Sequence, residues 1–539
     1  MTGDITLYEN ATFFTAADRM WADAMLTAGE RIVYVGDSAT AHRIAGVGAS
    51  EVDLGGALVV PGFVDGHAHV LQTGDALTQL DLTTAGDLAE VQQRLRDWAS
   101  RHSADPRLRL FGWQHSALPD GRPTRQALDA VVADKPFYAQ SFDYHSVWLN
   151  TAALVEVGID AETPDPPGGT IHRDPTTGEP TGHIDETAVE RYVWSKLASF
   201  ETDANRDEHL AHALDAYRAH GVTSTTDMGL NANDLAAMFR AETAGTLTTR
   251  VAAHWMMTRE ANPAANLAQV EYAAQLARKH HSGLLRITGV KIIVDGTVDG
   301  CTAALGNPYS NGQLPDPIWD LESLAPVVAA ADAAGLQVAM HAIGDEAIRI
   351  AIGAVEYAVQ CNGPRPRRHR IEHLEVAGPD EIARLAALGI IASMQPVHAD
   401  PAIQTTWRAV LGDSRVERGF PWPEMSAAGA VLAFGTDSPT APFQPLRNMF
   451  VAATRRSAFN PALEPNVAHY ALPLADAIRH ATRDAAWSCR AEGEVGQLRA
   501  GLCADFAVID RNVFDLPVEE LLTAQVRQTI FGGRSVFNS

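Results

Sequence analysis

Two histidines separated by one residue, His67-Ala-His69, end the apolar run GALVVPGFVDGHAHV (residues 56–70). Groups of the same chemical kind recur far along the chain: His341 in LQVAMHAI, His373 in HRIEHLE and Asp437 in AVLAFGTDS. Imidazole and carboxylate are the donors that suit zinc and its divalent neighbours. On an extended chain residues 67 and 69 point to the same side, so the two rings can hold one ion together. A histidine by itself is an ordinary core or surface residue, and we read His102, His209, His212, His220, His280, His281 and His369 that way. The four histidines and Asp437 differ because, with Lys291, they fall on five predicted strands.

Lys291 stands in GVKIIVDGTVDG (289–300), among Val290, Ile292, Ile293 and Val294, a run that otherwise reads as a strand buried on both faces. Only four of the 42 basic residues are lysines (Lys135, Lys196, Lys279 and Lys291), so this position selects an amine in a chain that otherwise uses arginine. A charged ammonium buried beside a metal cation is repelled. A neutral amine can instead add carbon dioxide and become a carbamate, N6-carboxylysine, whose negative charge and two oxygens bridge two ions; a guanidinium cannot do this. The alternative for Lys291 is a structural salt bridge to Asp295 or another carboxylate.

The elements that must position these groups alternate. Strand-like runs at 221–227, 250–257, 287–296, 336–343, 369–375, 389–397 and 430–438 are separated by alanine-rich helical segments, among them 203–221, 266–283 and 344–363. Alternation of this kind implies right-handed βαβ units and a parallel sheet. With 56–70 as the eighth strand, the α/β chain closes as a (β/α)8 TIM barrel over 56–489, and chemistry belongs at the C-terminal ends of its strands. Residues 71–200 then form a long insertion after the first strand, a lid over one barrel mouth. Its segment 165–183 is so rich in Gly, Pro and Thr that turns should dominate it. Residues 1–55 and 490–539 carry short strand-like runs, expected to join as one small β-sandwich built from both termini.

Bulk composition excludes several functions. A formal charge of −24 gives no basic face for nucleic acid, and 46% hydrophobic residues without a continuous apolar run near 20 residues give no membrane span. The start, MTGDITLYENATFF, lacks a basic segment followed by an apolar one, so a cytoplasmic address is expected. Cys301, Cys361, Cys489 and Cys503 form no C-x-x-C pair and read as idle thiols. A homodimer is the base-rate assembly.

The stretches PGFVDGHAH, GVKIIVDGTVDGCTAAL, VAMHAIGD, RIEHLE and FGTDSP, in this order, resemble the amidohydrolase superfamily, and within it the metal-dependent branch that includes N-substituted formamide deformylase. The resemblance covers almost the whole chain. It implies one or two divalent ions, Zn2+ first and Mn2+, Fe2+ or Co2+ otherwise. His67 and His69 would hold the more buried ion with Asp437, His341 and His373 the second, and carboxylated Lys291 would bridge them. The branch carries Asp-Gly-His in its insertion, where this chain has DYHSVW (143–148) with Tyr144 in the glycine position.

The expected reaction is hydrolysis of a C–N bond in a small-molecule amide such as an N-acyl or N-formyl amine, with water as nucleophile and Asp437 as general base. His145 or His183 would add a hydrogen bond to the carbonyl oxygen. Trp113, Tyr144 and Trp319, with Phe142 and Trp148, are candidates for an apolar substrate pocket. The alternatives are a cyclic-amide hydrolase of the same superfamily, a deaminase of that superfamily, against which Lys291 speaks because such deaminases usually lack the bridging lysine, and a non-catalytic metal-binding regulator.

Overall fold

The computed structural model describes residues 5–142, 144–166 and 168–539. Asp143, at the start of DYHSVW, lies outside the described residues. The centre of the chain is a nearly closed barrel of eight parallel strands: β1 (Phe63–Ala68), β2 (Val222–Leu230), β3 (Arg250–Met257), β4 (Leu285–Ile293), β5 (Gln337–Ala342), β6 (Arg370–His373), β7 (Ile391–Met394) and β8 (Leu432–Phe434). Their spatial order is their chain order. The strands are rich in Val, Ile and Thr and buried on both faces, as a parallel sheet covered by helices requires. The helices start at sequence signals: Thr202 and Asn205 form a capping box before Asp203–Ala219, and Asp320 caps Leu321–Ala333.

Closure between β8 and β1 uses no regular ladder. The Asp437 amide donates to the His67 carbonyl over 2.7 Å, and Ala68 bridges Ser438. The two chains can approach this closely because both carry glycine. A Cβ on Gly66 would stand 2.7 Å from the Phe434 carbonyl oxygen, and one on Gly435 would stand 2.3 Å from the His67 nitrogen.

The expected first strand over 56–70 is in fact two elements. Ser50–Pro61 belongs to a terminal sheet, pairing in parallel with Ile5–Phe14 and antiparallel with Phe506–Ile509, and the barrel begins only at Phe63. The expected sandwich is one hydrogen-bonded sheet of eight strands from both ends of the chain, with apolar clusters centred on Phe506 and on Leu26.

Between β1 and β2 the insertion builds its own six-stranded sheet, in the order Gly169–Arg173, Pro180–Glu186, Ser146–Leu149, Phe137–Ser141, Leu108–Trp113 and Leu80–Asp81. Segment 165–183 is therefore more regular than its composition suggests. The alternating GTIHR and PTGHIDE pair as a hairpin, and the residues between them, DPTTGE, make its turn. After the hairpin come a π-helical turn, Val189–Trp194, and a short helix, Ser195–Ala198. Among the described residues no helix is long and apolar enough to cross a membrane.

Candidate active site

The C-terminal ends of the barrel strands and the insertion enclose a cavity of about 1020 Å3. His67, His69, Lys291, His341, His373 and Asp437 all line it. His67 is the last residue but one of β1, and His69 precedes the helix Val70–Leu77, with its ring against Gly229, where a Cβ would stand 2.7 Å from Nδ1. Asp437 and His373 hold φ of +59° and +75°. Such left-handed backbone at non-glycine residues is kept only where the surroundings over-determine it, and it clusters at functional sites.

Asp437 is the hub. Its Oδ1 is 3.2 Å from His67 Nε2 and 3.2 Å from His69 Nε2. Donors on arms of 2.0–2.2 Å around a tetrahedral ion stand about 3.3 Å apart, so these three donors have the separation of atoms sharing one cation. Lys291 Nζ lies 3.3 Å from the same His67 Nε2. On the other side of Asp437, His373 Nδ1 and His398 Nε2 are each 3.8 Å from Oδ2. Two groups thus have donor atoms within 4.8 Å of one another: His67, His69 and Asp437, and His373, His398 and Asp437. His341 joins neither group. Its ring centroid is 4.4 Å from that of His373, and its Nε2 is 3.3 Å from the Gly296 carbonyl oxygen.

Buried partners fix these rings. His67 Nδ1 lies 2.7 Å from Glu372 Oε2, so the carboxylate holds the hydrogen on Nδ1 and leaves Nε2 for the cavity. Glu372 in turn receives Arg370 Nε at 2.5 Å, and Arg370 also reaches the Gly66 carbonyl at 2.6 Å and Ser393. Burial opposes ionisation of Glu372, but the Arg370 charge and His67 hold the carboxyl far below its ordinary range. Gln395 contacts His373 Nδ1 at 2.9 Å and His67 Nδ1 at 3.1 Å. Asp65 accepts from the Thr436 amide (2.9 Å) and hydroxyl (2.6 Å), tying the Asp437 loop to β1.

Lys291 is 2% exposed. Burial pulls its amine down to about 8 against the pull of Glu372 and Asp437, which brings the neutral form within reach of neutral pH. The salt bridge to Asp295 does not form. Asp295 instead accepts the backbone N–H groups of Ala304 (3.0 Å), Ile343 (3.0 Å) and Gly344 (2.9 Å), and burial pushes it up to about 7. Asp437 is the reverse: burial raises its carboxyl, and His67, His69 and His373 outweigh that and hold it well below its ordinary value.

The insertion supplies Trp113, Phe142, Tyr144 and His145 to the cavity wall, facing Trp319 from the barrel. Two expected contributors stand elsewhere. Trp148 packs against Trp113 inside the insertion, ring centroids 6.0 Å apart. His183 does not line the cavity. It stacks on His172 with centroids 4.1 Å apart and planes 8° apart, and its Nε2 is 2.8 Å from Asp185, which also contacts His172. Parallel stacked rings do not aim their lone pairs at one point, so this group reads as two imidazoles sharing a carboxylate.

The sequence reading missed Arg370, Glu372, Gln395 and His398, which complete the cluster. An Arg-x-Glu pair inside a strand buried on both faces was the available signal for the first two. His398 lies one residue beyond the strand-like run 389–397.

The chain as a whole is similar to known proteins. A solved metal-dependent hydrolase from Pyrococcus horikoshii OT3, itself uncharacterized, superposes with a TM-score of 0.77 at 27% identity over 96% of this chain and 99% of that one. The N-substituted formamide deformylase of Arthrobacter pascens is 29% identical over 95% of this chain and 94% of its own length. The protein LONG AFTER FAR-RED 3 of Arabidopsis thaliana is 28% identical over 98% and 91%. The sequence model of the amidohydrolase family matches residues 50–537, which takes in every strand of the barrel and both candidate donor groups. The chain belongs to the amidohydrolase family.

Proposed function

We propose that this protein is a divalent-metal hydrolase that cleaves the C–N bond of a small-molecule amide, an N-acyl or N-formyl amine, in the cytoplasm. The observation that carries the reading is the 3.2 Å spacing of His67 Nε2 and His69 Nε2 from one Asp437 oxygen, with Lys291 Nζ 3.3 Å from His67. The donor set fits zinc, with Mn2+, Fe2+ or Co2+ as substitutes. His67, His69 and Asp437 would hold the first ion, and Lys291, as N6-carboxylysine, would add a carbamate oxygen. His373 and His398, with His341 beside them, form the second imidazole group.

When bound, such an ion supplies Lewis acidity, acidifying water and polarising the substrate carbonyl. Everything else falls to the chain. Asp437, held ionised by its imidazole neighbours, accepts the proton of the attacking water and returns it to the leaving amine. Glu372 keeps His67 in the tautomer whose Nε2 faces the cavity. Trp319, Trp113 and Tyr144 give the substrate an apolar wall, and the insertion closes over it and excludes bulk water.

The test is metal content per chain by elemental analysis, together with amine release from a panel of N-acyl and N-formyl amines with and without chelator. Chelator-sensitive release by a protein with one or two ions per chain is expected. A metal-loaded protein inert to amides, esters and cyclic amides would overturn the hydrolase reading in favour of a metal-binding regulator.

A further inference from the structure

The cavity wall holds a carboxylate that neither donor group uses. Glu190 stands on the π-helical turn Val189–Trp194, where the Ser195 amide donates to its carbonyl from five residues on. In such a turn residues four apart lie close to one face, and Glu190 and Trp194 both line the cavity. Among the described residues no group donates to the Glu190 carboxylate and no cation pairs with it. The basic groups around it are engaged elsewhere. Arg191 is exposed with its guanidinium 5.6 Å from the Tyr192 ring centroid, Lys196 stands 5.3 Å from that of Phe200, and His145 Nδ1 lies 2.8 Å from Glu186. From the barrel side, Arg259 pairs with Asp320 at 3.2 Å. Burial and the Glu186 charge push the Glu190 carboxyl above its ordinary range, with His145 opposing them. Aromatic rings stand beside the same turn. The Trp194 ring centroid is 6.1 Å from that of Tyr144, and Trp194 Nε1 donates to Gln140 Oε1 over 2.8 Å, which fixes the indole.

A carboxylate drawn out of water without a donor loses solvation and gains nothing from the protein, and such groups are kept where a ligand uses them. Carboxylate and aromatic ring are together the two kinds of group that attract an organic cation. We propose that Glu190 is a specificity-determining residue that binds a cationic group, an ammonium or a guanidinium, carried by the substrate amide away from its scissile bond, with the Trp194 and Tyr144 rings beside the same cation. This rests on the amide-hydrolase reading and narrows it to amides such as monoacylated diamines. A substrate that fills the cavity takes water away from Glu190. A cation replaces that water with a charge-assisted hydrogen bond. An alkyl group leaves the carboxylate desolvated and unmatched, which is how a polar site rejects an analogue.

The experiment pairs monoacylated diamines, with an ammonium at the far end, against N-acyl alkylamines of the same length that end in methyl. The wild type, Glu190→Gln and Glu190→Lys are compared, with metal content measured for each. The wild type should prefer the charged member of each pair. Glu190→Gln should lower the ratio of the two kcat/KM values by about 10- to 100-fold, mostly through KM, with metal content unchanged. Glu190→Lys, which sets a cation against the cation, should invert the preference. A wild type without preference for the charged member, or a ratio that Glu190→Gln leaves in place, would overturn the proposal. Calorimetry decides the same point without turnover. Butylguanidinium stays charged and offers no lone pair to a metal, and butylurea is its neutral counterpart. Tighter binding of the guanidinium by the metal-loaded wild type, lost in Glu190→Gln, supports the proposal, and equal affinity for the two probes overturns it. A wild type inert to all amides would sink the hydrolase reading, and the calorimetry would still judge Glu190.

Discussion

The barrel rim and the insertion face each other across one cavity and deliver their polar groups differently. On the rim, the donors stand in or just beyond the C-terminal ends of strands buried on both faces, and a second layer of buried charge stands behind His67: Arg370 on Glu372, Glu372 on His67. On the insertion, the polar groups come from the end of a hairpin, a neighbouring strand and a π-helical turn, and aromatic rings make up much of the wall. A site that must hold a cation needs rigid donors at fixed separations. A wall that must fit a substrate needs shape and a few directional contacts. The division of labour suggests that the rim sets the reaction and the insertion sets the substrate.

Substitutions can break that comparison or sharpen it. The largest effect is expected at Asp437: Asp437→Asn should lower kcat by about 10³- to 10⁴-fold with the fold intact by circular dichroism, and retained turnover would remove Asp437 from the base role. Lys291→Arg should leave the protein poor in metal and nearly inactive, whereas Lys291→Ala should regain activity with added short carboxylic acids; full activity in the arginine variant would end the carbamate proposal. Behind the rim the effects should be smaller. Glu372→Gln should weaken metal binding by about 10- to 100-fold in a chelator competition. Arg370→Met, which strands the buried Glu372 charge, should cost about 3–5 kcal/mol in denaturant unfolding. The smallest effect belongs to the insertion and its facing wall. Tyr144→Phe and Trp319→Ala should move KM by about 10-fold or less with metal content unchanged. A loss of metal in those variants would erase the distinction between rim and wall.

The rim was legible because period and residue type agree there. An apolar strand ending in histidine or aspartate is a local pattern, and its repetition across the chain places those residues at one end of a barrel without any long-range information. His398 escaped because it sits just past its strand. Arg370 and Glu372 escaped because their partners, Gly66 and His67, lie some 300 residues away in sequence. The insertion was readable as a separate unit, and several of its strands were visible, but which face of each strand meets the barrel depends on pairing and twist that no short window carries. His183 shows the consequence: two residues from Asp185 on one strand, it turns to that carboxylate and to His172, and the cavity contact falls to Glu186. The hairpin at 169–186 was hidden by the Gly and Pro of its own turn.

The terminal sheet carries a consequence for biosynthesis. Strand Ser50–Pro61 runs straight toward β1 and His67, yet one of its two neighbours is Phe506–Ile509, more than 440 residues later. A ribosome must therefore translate nearly the whole chain before the strand leading to the first candidate metal ligands can gain its second edge. A stalled or shortened product would leave that edge bare, open to pairing with another nascent chain and to quality-control proteases.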